Sequence, residues 1–157
     1  IMRDARILPI YEGTNGIQAN DLMFRKTLRD DGKTAFNLLS LIKNETNQNT
    51  EIFSYIQNCE ETIKFILDIK DSKEALSCVS FDYMMGLGYL IGSWLMNKSK
   101  SKAMEKLNIK ESDQDFLKSK IVSADFYDTH ILPRSNLHLN IVSNGSKVVF
   151  ETLDSNV

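Results

Sequence analysis

Fourteen consecutive residues, Tyr83 to Met96 (YMMGLGYLIGSWLM), carry no charge. A membrane-crossing helix needs about 20 apolar residues. The run is therefore read as a buried central helix of a soluble bundle, and no membrane span is expected. Such a helix must be surrounded by others. Gly86, Gly88 and Gly92 interrupt the run. Gly88 and Gly92 have the GxxxG spacing that permits close helix approach.

The flanking pattern is helical too. Only 7 Gly and 2 Pro punctuate 157 residues, which favours long elements. Ile52, Ile56, Cys59, Ile63 and Ile66 fall at steps of four and three, one stripe on a helix, with Thr50 as its expected N-cap. A short polar break at Lys70–Ser72 precedes a long helix from about Lys73 to Lys106. Its basic end, Lys98, Lys100, Lys102 and Lys106, is read as a solvated terminus that complements the helix dipole. Ser112 and Asp115 suggest a cap and a first-turn acid. Phe116, Leu117, Ile121, Ala124, Tyr127, Ile131 and Leu132 then trace another amphipathic helix up to Pro133. The tail LNIVSNGSKVVF reads either as a hairpin about Asn144-Gly145 or as a helix capped there, and the local pattern favours the hairpin.

Upstream, a helix starts around Asn15 to Ile17, and Asp30-Asp31-Gly32 marks a break. The pattern resumes with Phe36, Leu39 and Ile42. The polar stretch Lys43–Thr50 is the expected linker. The fold expected is all-α: an up-down bundle of about four long helices, preceded by a helix–loop–helix strip.

Composition narrows the function classes. The net charge of −2 lacks the basic excess of a nucleic-acid binder. A hydrophobic content of 42% excludes a disordered acidic chain. Cys59 and Cys78 lack CxxC spacing and are expected as small core residues in a reducing compartment. With His130 and His138 they assemble no metal constellation, and both histidines are assigned structural or exposed roles.

Functional signals concentrate in RDARILPIYEGTNGIQ, Arg3 to Gln18. Gly13 allows close backbone approach to a ligand. Thr14, Asn15 and the first N–H groups of the next helix make a reasonable phosphate seat. Glu12 beside Tyr11 could serve as a partly desolvated general base, because burial raises a carboxylate pKa. Taken alone, a glutamate in a turn is ordinarily a solvated charge.

The order Arg-Asp-Ala-Arg-Ile, three residues, then Tyr-Glu-Gly-Thr-Asn-Gly-Ile-Gln resembles the end of the catalytic domain of acyl-CoA dehydrogenases. GYLIGSWLM and DFLKSKIVSADFYDTHILP resemble the additional acetyl-CoA-dehydrogenase-like helical C-terminal domain of one larger subgroup. The resemblance also favours a helix over Ile131–Asn144. It implies that Glu12 is the base that takes the α-proton of an acyl-CoA thioester while a hydride leaves the β-carbon for FAD, giving the 2-enoyl-CoA of β-oxidation. The backbone N–H of Glu12 matches a group that binds the thioester oxygen. Tyr11 and Gly13 match positions beside the thioester. Thr14, Asn15 and Gly16 match the stretch that contacts FAD. Gly16 departs from the polar side chain of smaller members, so a side-chain contact to FAD is lost there. The resemblance further implies an electron-transfer flavoprotein as acceptor, a homo-oligomer, and a cytoplasmic or, in a eukaryote, mitochondrial matrix location.

Ile1 precedes Met2, and the opening reads as mid-protein sequence. The expected division is 1–45, the end of the catalytic C-terminal domain, and 46–157, the additional helical domain. The family's N-terminal helical domain and β-domain have no counterpart in this sequence, so the isolated chain is expected to be inactive. Without that partner domain, residues 1–45 are expected to pack poorly. The alternative reading is a non-catalytic packing or dimerisation module with a vestigial active-site loop.

Overall fold

A computed structural model describes residues 13–46, 51–107 and 113–154. Every regular element among them is helical. Helix α1 (Asn15–Asn20) runs on into a π-helical stretch, Asp21–Thr27, and a 3₁₀ turn, Leu28–Asp30. Then follow α2 (Lys33–Glu45), α3 (Ile52–Asp68), α4 (Lys73–Leu107), α5 (Gln114–His130) and α6 (Pro133–Asp154).

The molecule is an up-down bundle of four rods. Lys43 of α2 pairs with Glu60 of α3, while Gly32 at the other end of α2 lies against Ile63 and Leu67, so the two helices are antiparallel. Helix α4 turns back along α3 after a short loop. The fourth rod is α5 and α6 together. Gly92 of α4 faces Tyr127 of α5; further back along α4, Gly86 faces Ser135 and Leu139, and Val79 faces Gly145. The α5–α6 rod thus runs antiparallel to α4 along its length. Its break sits at Ile131–Pro133, where the N–H groups of Ile131 and Leu132 both reach the carbonyl of Tyr127. Pro133 has no N–H to continue α5 and suits the first turn of α6.

Burial of apolar surface drives this assembly. The α3 stripe Ile52, Ile56, Cys59, Ile63 and Ile66 is buried as its spacing predicts, in one core with Leu76, Val79, Tyr83, Leu87 and Leu90 of α4. Helix α4 is long and apolar enough to cross a membrane, and here it is the helix on which α1, α3, α5 and α6 pack.

Several expectations are corrected. Of the two readings of the tail, the hairpin at Asn144-Gly145 is absent and the helix that the resemblance favours is present, with α6 running through both residues. Leu132, Ser135, Leu139, Val142 and Ser146 are all buried at steps of three and four, and that stripe outweighs the local turn signal. The close approach to α4 does not use the Gly88–Gly92 pair. A Cβ at Gly86 would stand 2.7 Å from Leu139 Cδ2, and one at Gly92 would stand 2.1 Å from the Tyr127 hydroxyl, but among the described residues no neighbouring element comes within 4 Å of a Cβ at Gly88. Cys78 is exposed and only Cys59 is buried. The polar linker is shorter than expected, because α2 continues to Glu45. Asp113 caps α5, its carboxylate accepting from Phe116 N at 3.0 Å; Thr50 and Ser112 lie outside the described residues.

Poor packing of the N-terminal strip is not observed for its described part. Met23, Ala35, Leu39 and Ile42 join the same core as α3, α4 and α6. The break at Asp30–Gly32 makes this possible. Asp31 and Gly32 both have left-handed backbone, with φ of 52° and 76°. A side chain on Gly32 would crowd Ile63 and Phe36 at 3.1 Å. Asp30 Oδ2 accepts from Thr34 N at 3.0 Å and from Thr34 Oγ1 at 2.5 Å, which secures the first turn of α2.

Candidate functional site

Two of the six candidate site residues, Tyr11 and Glu12, lie outside the described residues. The other four form one continuous turn at the start of α1. Gly13 has φ of +90°, a left-handed conformation that favours glycine. Thr14 precedes the helix, and its carbonyl accepts from Gln18 N at 2.9 Å; its side chain makes no capping bond. Asn15 and Gly16 open the helix and are exposed. Among the described residues, no neighbouring element comes within 4 Å of the place a Cβ would take on Gly13 or Gly16. The turn therefore offers unshielded backbone, including first-turn N–H groups that have no acceptor within the helix. Such groups can receive an anionic oxygen.

What holds the turn in place lies downstream. Ala19 of α1 and Met23 of the π-helical stretch are fully buried, and both elements pack on α4. In the π-helical stretch, Leu28 N reaches back five residues to Met23 O. Thr27, also buried, shares a hydrogen bond of 3.0 Å with the Tyr83 hydroxyl in the middle of α4. Burial pushes the Tyr83 phenol up, only partly offset by the bond to Thr27, so the pair is a neutral tether rather than an acid or base. Nothing in the sequence marks Thr27 and Tyr83 as partners, because 56 residues separate them. A buried tyrosine inside an apolar run, requiring a partner for its hydroxyl, is the clue that was available.

The remaining polar groups are structural in their geometry. Burial pushes the Cys59 thiol up to about 12, which leaves it protonated and unreactive. His138 Nδ1 lies 2.7 Å from Asp82 Oδ1 and its ring stacks on Tyr89, joining α6 to α4. His130 packs on Phe126. Among the described residues no group of three or more side chains could hold a metal ion. A cleft of about 730 Å³ lies between α2, α4 and α5. On its wall Asn97 donates to Asp128 at 2.7 Å, and the buried Ser93 donates to the same carboxylate at 2.5 Å. Lys98 and Trp94 both donate to Glu45, and the Lys98 ammonium foremost holds that carboxyl below its usual value. The basic tract is accordingly laced with carboxylates: Lys98 pairs with Glu45, Lys100 with Asp125 and Lys102 with Glu105.

The model of the acetyl-CoA dehydrogenase C-terminal-like family matches residues 43–152. The chain is 32% identical over 165 residues to 3-methylmercaptopropionyl-CoA dehydrogenase of Ruegeria pomeroyi, a match that covers 96% of this chain and 28% of that protein. It is 25% identical over 175 residues to the broad-specificity linear acyl-CoA dehydrogenase FadE5 of Mycobacterium tuberculosis, covering 99% of this chain and 27% of that protein. The chain thus spans just over a quarter of the length of these relatives. The matched region takes in α3, α4, α5 and nearly all of α6, and the chain belongs to the acyl-CoA dehydrogenase family.

Proposed function

We propose that the chain is the C-terminal part of a flavin-dependent dehydrogenase that forms 2-enoyl-CoA from an acyl-CoA thioester. In this reading residues 1–45 close the catalytic domain and residues 46–157 form the additional helical domain. The observation that carries it is the extent of similarity. Alignment to a CoA-thioester dehydrogenase covers 96% of the chain, so it reaches past residues 43–152 into the segment bearing Glu12.

Glu12 takes the α-proton, and its own backbone N–H stabilises the enolate-like charge on the thioester oxygen. Tyr11 and Gly13 flank the thioester. Thr14, Asn15 and Gly16 fit one edge of an FAD site, because the open backbone at Gly13 and Gly16 can meet a phosphate or adenosine without steric conflict. FAD, when bound, would supply the acceptor for the β-hydride. One exposed turn cannot enclose a flavin. The other walls belong to domains outside this chain, and the isolated chain is inactive. An electron-transfer flavoprotein then reoxidises the complete enzyme, in the cytoplasm or mitochondrial matrix.

The test is Glu12→Gln in the complete protein, assayed by acyl-CoA-dependent dye reduction. Turnover should fall by about 10²–10⁴-fold, the usual contribution of a general base, with the bound-flavin spectrum retained. Unchanged turnover would refute the role of Glu12. Stoichiometric flavin binding by the isolated chain would refute its incompleteness.

A further inference from the structure

We propose that Tyr83 is a positioning residue for the turn at Gly13–Gly16: through Thr27 it holds the π-helical register from which that turn is projected. This role rests on the reading of the turn as part of the dehydrogenase site, and it gives the helical domain a share in placing it. Tyr83 lies within the matched residues 43–152, and Thr27 lies before them. Both are buried, and their hydroxyls meet at 3.0 Å.

The stretch Asp21–Thr27 links α1, which bears the turn, to the rest of the molecule. π-Helix is rare and is frequently found at functional sites. It bonds back five residues where α-helix bonds back four, so each closed loop holds one residue more. Reversion to α-helix would rotate everything upstream by one residue's share of a turn, about 100°. Ala19, fully buried, would then leave the core, and the Gly13–Gly16 backbone would face another direction.

Thr27 sits where this register is decided. Threonine inside a helix can bond its hydroxyl back to the carbonyl four residues earlier. Thr62 does so with Asn58 O at 2.8 Å, and Thr129 with Asp125 O at 2.9 Å. For Thr27 that carbonyl is Met23 O, which receives Leu28 N and closes the five-residue loop. The Tyr83 hydroxyl engages Thr27 Oγ1 instead. Thr27 O accepts from Gly32 N at 2.8 Å, which joins the stretch to the break before α2. Without the Tyr83 hydroxyl, Thr27 is free to compete for Met23 O, and the loosened register moves the turn.

In the 157-residue chain, followed by NMR, Tyr83→Phe should speed exchange of the Leu28 amide by about tenfold or more and shift the Gly13–Gly16 amide resonances. The amides of Ile56 and Ile63 in α3 should keep their rates, whereas a general loss of stability would quicken them all. Adding Thr27→Val removes the competing hydroxyl and should return Leu28 to slow exchange. In the complete protein Tyr83→Phe should lower kcat by about tenfold to a hundredfold, the cost of a small misplacement. KM for acyl-CoA should stay unchanged, and Thr27→Val should restore most of the rate. The proposal is overturned by Leu28 exchange that is unchanged or rises only in step with α3, by a double variant as fast-exchanging as Tyr83→Phe, or by full turnover of Tyr83→Phe where Glu12→Gln has lost it. If Glu12→Gln leaves turnover intact, the reading of the site falls, while the exchange rates judge the role of Tyr83 by themselves.

Discussion

Along the seam between α4 and the α5–α6 rod, a Cβ added to Gly86 would stand 2.7 Å from Leu139; at the Gly13–Gly16 turn, a Cβ would meet nothing within 4 Å among the described residues. The same residue type serves opposite ends. In the seam, glycine brings two backbones together, close enough for Ser135 to donate to Gly86 O at 2.8 Å. At the turn, glycine leaves backbone uncovered. The seam is a finished interface, and the turn has the form of an unfinished one. Gly88 on α4 is uncovered as well.

This contrast can be broken by substitution. Gly86→Val should be the most damaging change, lowering stability by about 1–3 kcal/mol through overpacking against Leu139 and Ser135. Urea unfolding followed by circular dichroism measures it, and a neutral result would mean that the seam yields easily.

A second test concerns how the strip bearing the turn is fastened to the bundle. The hydroxyl and N–H of Thr34 hold the Asp30 carboxyl below its usual value. A depressed carboxylate contributes stability above its unfolded value of about 4, and that contribution disappears as pH falls through the folded value. The urea midpoint should therefore drop between neutral pH and pH about 3. Asp30→Asn should flatten part of that drop. An identical pH profile for the variant would show that this fastening does not respond to charge.

Gly88→Ala should have the smallest effect and the opposite sign. By urea unfolding it should stabilise by up to about 1 kcal/mol, since alanine favours helix and the space is open. If it proves as costly as Gly86→Val, the distinction between covered and open glycines fails.

The legible parts of the fold were those encoded by local period. The α3 isoleucine stripe and the limits of α4 follow from spacing and polar breaks alone. The break at Asp30–Gly32 follows from residues that tolerate left-handed backbone. Asn144-Gly145 misled because a turn dipeptide carries no information about the distant surface that buries Leu139 and Val142. The candidate turn was legible as a motif, while its tether through Thr27 and Tyr83 was not, since that bond exists only once α4 lies beside the π-helical stretch.

By itself the sequence determined that the chain is helical, where most helices run, and which family it resembles. These properties reside in composition, period and short ordered motifs. Tertiary structure alone decided that α5 and α6 form one broken rod, that Gly86 and Gly92 are covered while Gly88 is open, and that Cys78 faces outward. The physical reason is that periodicity sorts residues onto the faces of a helix but does not say which neighbour covers each face. That choice is made by the packing of all the helices at once.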